Sequence, residues 1–149
     1  MTQALDRTIC EILPHRYPFL LLDRITEFVP GARISGIKRF SANDEVVQPA
    51  HAGVVPLVIL LEAVTQLGAV LVMERPEMKG KVAVILQIPA ARVHELIEPG
   101  STLRLEAQIV KMRENFGELR GAIYHEERLV GEGQMRFGVA EKGSLLLAR

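Results

Sequence analysis

One cysteine, no tryptophan and no net charge set the first limits on this chain. A single thiol, Cys10, excludes an intramolecular disulfide. It has no CxxC partner and reads as a small, buried structural side chain in a helix-like stretch. Aromatic residues make up only 5% of the sequence, so any core must be built from Val, Leu, Ile and Ala. Eighteen basic residues balance eighteen acidic ones, and the two signs are interleaved. No basic stripe argues for nucleic acid, and no acidic tail argues for disorder. The four histidines show no HxH or HExxH spacing, and Gly-rich phosphate loops and Ser nucleophile elbows are absent. The expectation is a protein without metal or cofactor. No period of the length of a structural repeat is visible either.

What is present is a globular composition. The 149 residues are 48% hydrophobic and 24% charged, with no internal linker, which fits one domain over residues 1–149. The opening MTQALDRTICEIL carries Asp6 and Glu11 where a secretory signal wants an unbroken apolar centre, so a cytoplasmic protein is expected. Residues 54–73 are long enough to span a membrane, yet Glu62 and Gln66 fall at the centre. A charge there costs a few kcal/mol, and a buried helix of a soluble protein is the better reading.

TQALDRTICEIL predicts a short helix ended by Pro14, followed by the Pro-punctuated loop PHRYP. FLLLDRITEFV is apolar and β-leaning, Pro30-Gly31 is a turn, and RISGIKRFS is the returning strand. The apolar run from about Val54 to Glu74 is too long for a strand and stops at Arg75-Pro76. Being apolar on nearly every side, it predicts a helix over 55–73 wrapped by other elements. Four strands follow: KVAVILQI, TLRLEAQI with Leu103, Leu105, Ala107 and Ile109 inward, ELRGAIYH, and RLVGEGQMRF. The last pair is joined around Glu126-Glu127, and residues 140–149 read as a loose tail. Strands on both sides of one long helix indicate an antiparallel α+β fold, with a sheet curled round that helix.

Three stretches then become specific: HRYPFLLLDR (15–24), EAVTQLG (62–68), and EPGSTLRLEAQIVK (98–111) with VGEGQMRF (130–137). They resemble the FabZ-type β-hydroxyacyl-acyl carrier protein dehydratases, collinearly from about Ile12 to Val139. The resemblance implies the hotdog fold, an antiparallel sheet wrapped around one long central helix. It also implies sheets pairing edge to edge in a homodimer, with three dimers in some members forming a hexamer. By the same resemblance, His51 and Glu62 are the catalytic pair at a dimer interface, and Gly53, Leu57 and Gln66 line the substrate site. The implied reaction is loss of water from a 3-hydroxyacyl thioester carried on the phosphopantetheine arm of acyl carrier protein. A neutral imidazole suits the proton abstraction, and a carboxyl among Val, Leu and Ile loses solvation on ionising and can serve as a donor.

This chain departs from the family pattern in two places, and in the later one the family's basic-aromatic motif becomes PAARVHEL, which thins the basic surface expected to meet an acidic carrier protein. Where the family reads Gln-Gly-His-Phe-Pro-Gly and then Met-Pro-Gly, the chain reads QPAHAGVVPLV, two residues shorter between Gln48 and Glu62. Plainer readings stand beside the catalytic ones. Glu62 could pair with an Arg at an oligomer interface, Gln66 could satisfy buried backbone, His51 could decorate a surface loop, and Gly53 could shape the helix entrance. His15 is read as part of a structural motif, with His94 and His125 exposed or at strand ends. Two further functions stay open: a catalytically impaired hotdog subunit that binds acyl thioesters or pairs with an active homologue, and a hotdog thioesterase.

Overall fold

The computed structural model describes residue 5 and residues 7–47 and 53–144. Six strands form one antiparallel sheet. They are β1 (Arg24–Val29), β2 (Arg33–Arg39), β3 (Lys81–Val93), β4 (Thr102–Met112), β5 (Phe116–His125) and β6 (Arg128–Glu141). Their spatial order is β1-β2-β4-β5-β6-β3, which leaves β1 and β3 at the edges. The four-residue α1 (Ile9–Ile12) precedes the sheet, and α2 (Leu57–Met73) connects β2 to β3 through a single 3₁₀ turn at Pro76–Met78. This is the hotdog architecture.

The sheet binds α2 through alternation along its strands. In β4, Leu103, Leu105 and Ala107 turn inward and are almost wholly buried, while Gln108 is exposed. In β5 and β6 the inward positions include several glycines, and the helix fills the space they leave. A β-carbon on Gly121 would stand 2.0 Å from Val64 Cγ1, and one on Gly68 would stand 2.5 Å from Leu119 Cδ1. Leu60, Leu67, Val70 and Leu71 of α2 complete the core with Phe40, Ile123, Met135 and Phe137. Ile12, Leu13, Leu21 and Leu22, from outside the sheet, belong to the same buried cluster.

The covering of α2 stops short at its first turns. Val58 remains 69% exposed, so the all-round enclosure predicted from composition is not complete in one protomer. The helix opens at Pro56, whose extended backbone (φ −62°, ψ 142°) precedes Leu57. Val55 N–H donates to Ile97 O at 2.7 Å and so pins this start to the segment that follows β3.

The sequence reading needs correction in four places. Among the described residues α1 is a single turn, Ile9–Ile12, and the earlier part of the predicted helix lies largely outside them. Thr8 is already extended, and its N–H and hydroxyl both donate to Glu11 Oε2, at 2.6 and 2.7 Å. One turn buries only Ile12, so Cys10 is exposed rather than a core thiol. Phe19 to Asp23 lie outside the sheet, since β1 begins at Arg24 and the N–H of Leu21 goes to a side chain of α2. β3 is longer than KVAVILQI, running on to Val93 with irregular register around Gln87 and Ala90. Pro89 sits in that irregular stretch, a position proline tolerates on an edge strand. β6 continues through Glu141, and residues 145–149 lie outside the described residues.

Candidate active site around Glu62

Glu62 sits one turn before Gln66 on α2, so the two side chains share a helix face. Gln66 is 1% exposed and every polar atom of its amide is engaged. Its oxygen accepts the N–H of Leu21 at 2.8 Å. Its nitrogen donates to Phe19 O at 2.8 Å and to Glu62 Oε1 at 2.9 Å. A buried amide committed in this way is a fixed point, because breaking any of these bonds strands a polar group away from water. It ties the Pro-rich loop to the helix and holds one carboxylate oxygen of Glu62.

The same loop delivers His15. Its Nε2 lies 3.5 Å from Glu62 Oε1, and both side chains are about one-quarter exposed (28% and 26%). The other ring nitrogen, Nδ1, is buried and has no hydrogen-bond partner among the described residues. The ring packs beside Phe19, with centroids 6.2 Å apart. The sequence reading placed His15 in a structural motif and so missed that it faces the carboxylate. Forty-seven positions separate the two, and no spacing rule joins them. The available signal was that both specific stretches, HRYPFLLLDR and EAVTQLG, carry an ionisable side chain near their start.

Glu62 itself is less enclosed than its aliphatic neighbours in sequence suggest. Its Oε1 is occupied by Gln66 and approached by His15, while no described residue bonds Oε2. A partly exposed carboxylate with one oxygen held can exchange a proton through the other with a bound molecule. Leu57 is the first helical residue and half-buried, and Gly53 has φ +79° with open space beside its α-carbon. The helix start offers backbone N–H groups without intrahelical acceptors. His51 lies outside the described residues, so its place relative to Glu62 is not part of this geometry. Among the described residues, no group of three His, Cys, Asp or Glu side chains could hold a metal ion. No helix among them is long and apolar enough to cross a membrane.

Comparison with known proteins gives the family and the fold. The family model described as a FabA-like domain matches residues 13–134. A curated relative from Pelotomaculum thermopropionicum, 3-hydroxyacyl-[acyl-carrier-protein] dehydratase FabZ, is 42% identical over 133 residues, 88% of this chain and 95% of the relative. Among solved structures, the dehydratase heterocomplex ApeI:P from Xenorhabdus doucetiae superposes with a TM-score of 0.78 at 18% identity, over 93% of this chain and 94% of that one. A hot-dog-like protein from Thermanaerovibrio acidaminovorans gives a TM-score of 0.64 at 19% identity, over 80% and 88%. The structural matches bear on the fold. The sequence matches, running through both segments that meet at Glu62, show that the chain belongs to the FabA-like family and stands among its FabZ-type members.

Proposed function

We propose that this protein is a hydro-lyase that removes water from 3-hydroxyacyl-acyl carrier protein thioesters in fatty acid or related biosynthesis. The product is a trans-2-enoyl thioester. The observation that carries the reading is the held carboxylate: Glu62 Oε1 fixed by the buried Gln66, in a chain 42% identical to a FabZ dehydratase.

The chemistry divides between two groups. The imidazole of His51 takes the proton from the carbon next to the thioester. The electrons of that C–H bond become the new C=C bond, and the C–O bond at the third carbon breaks. Glu62, protonated, supplies the proton with which the hydroxyl leaves as water. Negative charge gathers on the thioester oxygen during the first step, and the N–H groups at the start of α2, around Leu57, are suited to receive it. Gly53 gives the substrate room to approach the backbone. The enzyme works in the cytoplasm as a homodimer or a trimer of dimers, with His51 and Glu62 of one site contributed by opposite protomers. Acyl carrier protein delivers the substrate.

The test is direct. Purified protein is incubated with a 3-hydroxyacyl thioester while conjugated enoyl absorbance and free thiol are followed. Enoyl product, lost in Glu62→Gln and His51→Ala with the oligomer intact, is the expected result. General acid–base groups contribute roughly 10²–10⁴-fold, so the loss is readily measured. Thiol release would assign hydrolysis instead. Absence of both products, with acyl thioester still bound, would make the chain a binding subunit.

A further inference from the structure

We infer that His15 is a positioning residue for Glu62, holding the carboxylate so that its second oxygen faces the substrate. The inference rests on the dehydratase reading for its effect on rate, but not for the contact itself. Three observations carry it. His15 Nε2 stands 3.5 Å from Glu62 Oε1, the oxygen already bonded to Gln66 Nε2 at 2.9 Å. His15 Nδ1 is buried and unpartnered among the described residues. The loop bearing His15 is fastened to α2 by Gln66, through Phe19 O and Leu21 N–H.

The unpartnered Nδ1 decides the tautomer. A buried N–H without an acceptor is among the rarest arrangements in proteins, whereas a buried lone pair is better tolerated. The proton of a neutral ring therefore belongs on Nε2, where it points at the carboxylate. A separation of 3.5 Å exceeds a full hydrogen bond, and contacts of this kind tighten when substrate fills the site. With Gln66 and His15 both directed to Oε1, the two oxygens of Glu62 cease to be equivalent. Oε1 is the held oxygen, and Oε2 carries the proton to the substrate hydroxyl. Without His15, the carboxylate can rotate about its remaining tether, and a misplacement of about 1 Å can lower a rate by about 10²-fold.

The experiment has two arms. In the first, ¹⁵N spectra of histidine-labelled protein report the ring tautomer of His15, assigned by its loss in His15→Gln. The expected result is the Nε2–H form in the otherwise unaltered protein and in Glu62→Ala, with the Nε2 resonance displaced in the variant because its carboxylate neighbour is gone. An Nδ1–H ring, or an Nε2 resonance indifferent to Glu62→Ala, overturns the contact. In the second arm, steady-state elimination is measured for His15→Ala and His15→Gln. His15→Ala should lower kcat by about 10- to 100-fold with KM nearly unchanged, the signature of a group acting in the transition state. His15→Gln, which keeps an N–H donor, should recover part of it. Unchanged kcat in a folded His15→Ala protein overturns the positioning role. If the parent protein eliminates nothing, the dehydratase reading falls, and the tautomer arm alone still decides whether His15 holds Glu62.

Discussion

The side-chain oxygen of Gln66 accepts the backbone N–H of Leu21 at 2.8 Å, joining α2 to a loop forty-five positions earlier in the chain. Leu21 is 1% exposed, so no water replaces this acceptor if it is removed. A buried donor left unpaired costs about 1–3 kcal/mol. Gln66→Leu keeps the volume and removes the bond. Urea unfolding should therefore show a loss of about that size, and elimination should slow because Glu62 loses its 2.9 Å partner. A stability change below ~0.5 kcal/mol, the usual range of neutral surface changes, would show that Gln66 is not the fastening point.

Gly121 of β5 and Val64 of α2 meet where helix and sheet are tightly packed. A β-carbon on Gly121 would meet Val64 Cγ1 at 2.0 Å and Met135 Cε at 3.1 Å. Gly121→Ala should destabilise the protein by about 1–3 kcal/mol through overpacking. Val64→Ala makes room for the added methyl. The double substitution should then be more stable than the sum of the two single losses implies, with a coupling of at least about 0.5 kcal/mol in a double-mutant cycle. Strict additivity would mean that the two surfaces do not bear on one another.

These contacts show which parts of the molecule were legible in sequence. The order of one short helix, two strands, one long helix and four strands could be read because each element carries its own local period. Leu103, Leu105 and Ala107 alternate, and the run from Leu57 to Met73 is too long and too apolar for anything else. The loop from His15 to Asp23 could not be read in the same way. Its Leu20, Leu21 and Leu22 look like strand, but they lie outside the sheet and the N–H of Leu21 goes to the Gln66 side chain of α2. The resemblance of EAVTQLG singled out Glu62, and helical spacing put Gln66 on the same face, where its side chain bonds Glu62 at 2.9 Å. His15 was missed, since a contact across the fold leaves no periodic trace. Cys10 was misjudged because a helix of one turn has too little surface to bury both Ile12 and its neighbours.

Asp23 closes the same loop. Its Oδ2 accepts the N–H of Arg39 at 2.7 Å, and its Oδ1 accepts from Lys38 Nζ at 3.1 Å. The first bond satisfies a backbone donor at the end of β2, and the second is a surface ion pair worth little by itself. Asp23→Asn should preserve most of the stability, since an amide oxygen can still accept from Arg39. Asp23→Ala should lose about 1.5–3 kcal/mol, the range for a hydrogen bond to a charged group. Equal losses in the two variants, measured in urea, would show that the ion pair dominates.

The two edges of the sheet differ in how readily each would take a further strand, which gives a test of the proposed dimer. β1 has six residues and a register shift between Ile25 and Glu27, features that blunt an edge against further pairing. β3 has thirteen residues, with Leu86, Ile88 and Val93 each more than a third exposed. A long apolar edge left open invites a second strand, and in a homodimer that strand is β3 of the other copy. Ile88→Lys combined with Val93→Lys should therefore shift the sedimenting species towards the 16.5 kDa monomer. Thr26→Lys, on the exposed edge of β1, should leave the mass unchanged. Because the site is proposed to draw on both protomers, the β3 variant should also lose elimination although Glu62, Gln66 and His15 are untouched. A fully active monomer would separate catalysis from assembly. An undiminished dimer would move the interface away from β3.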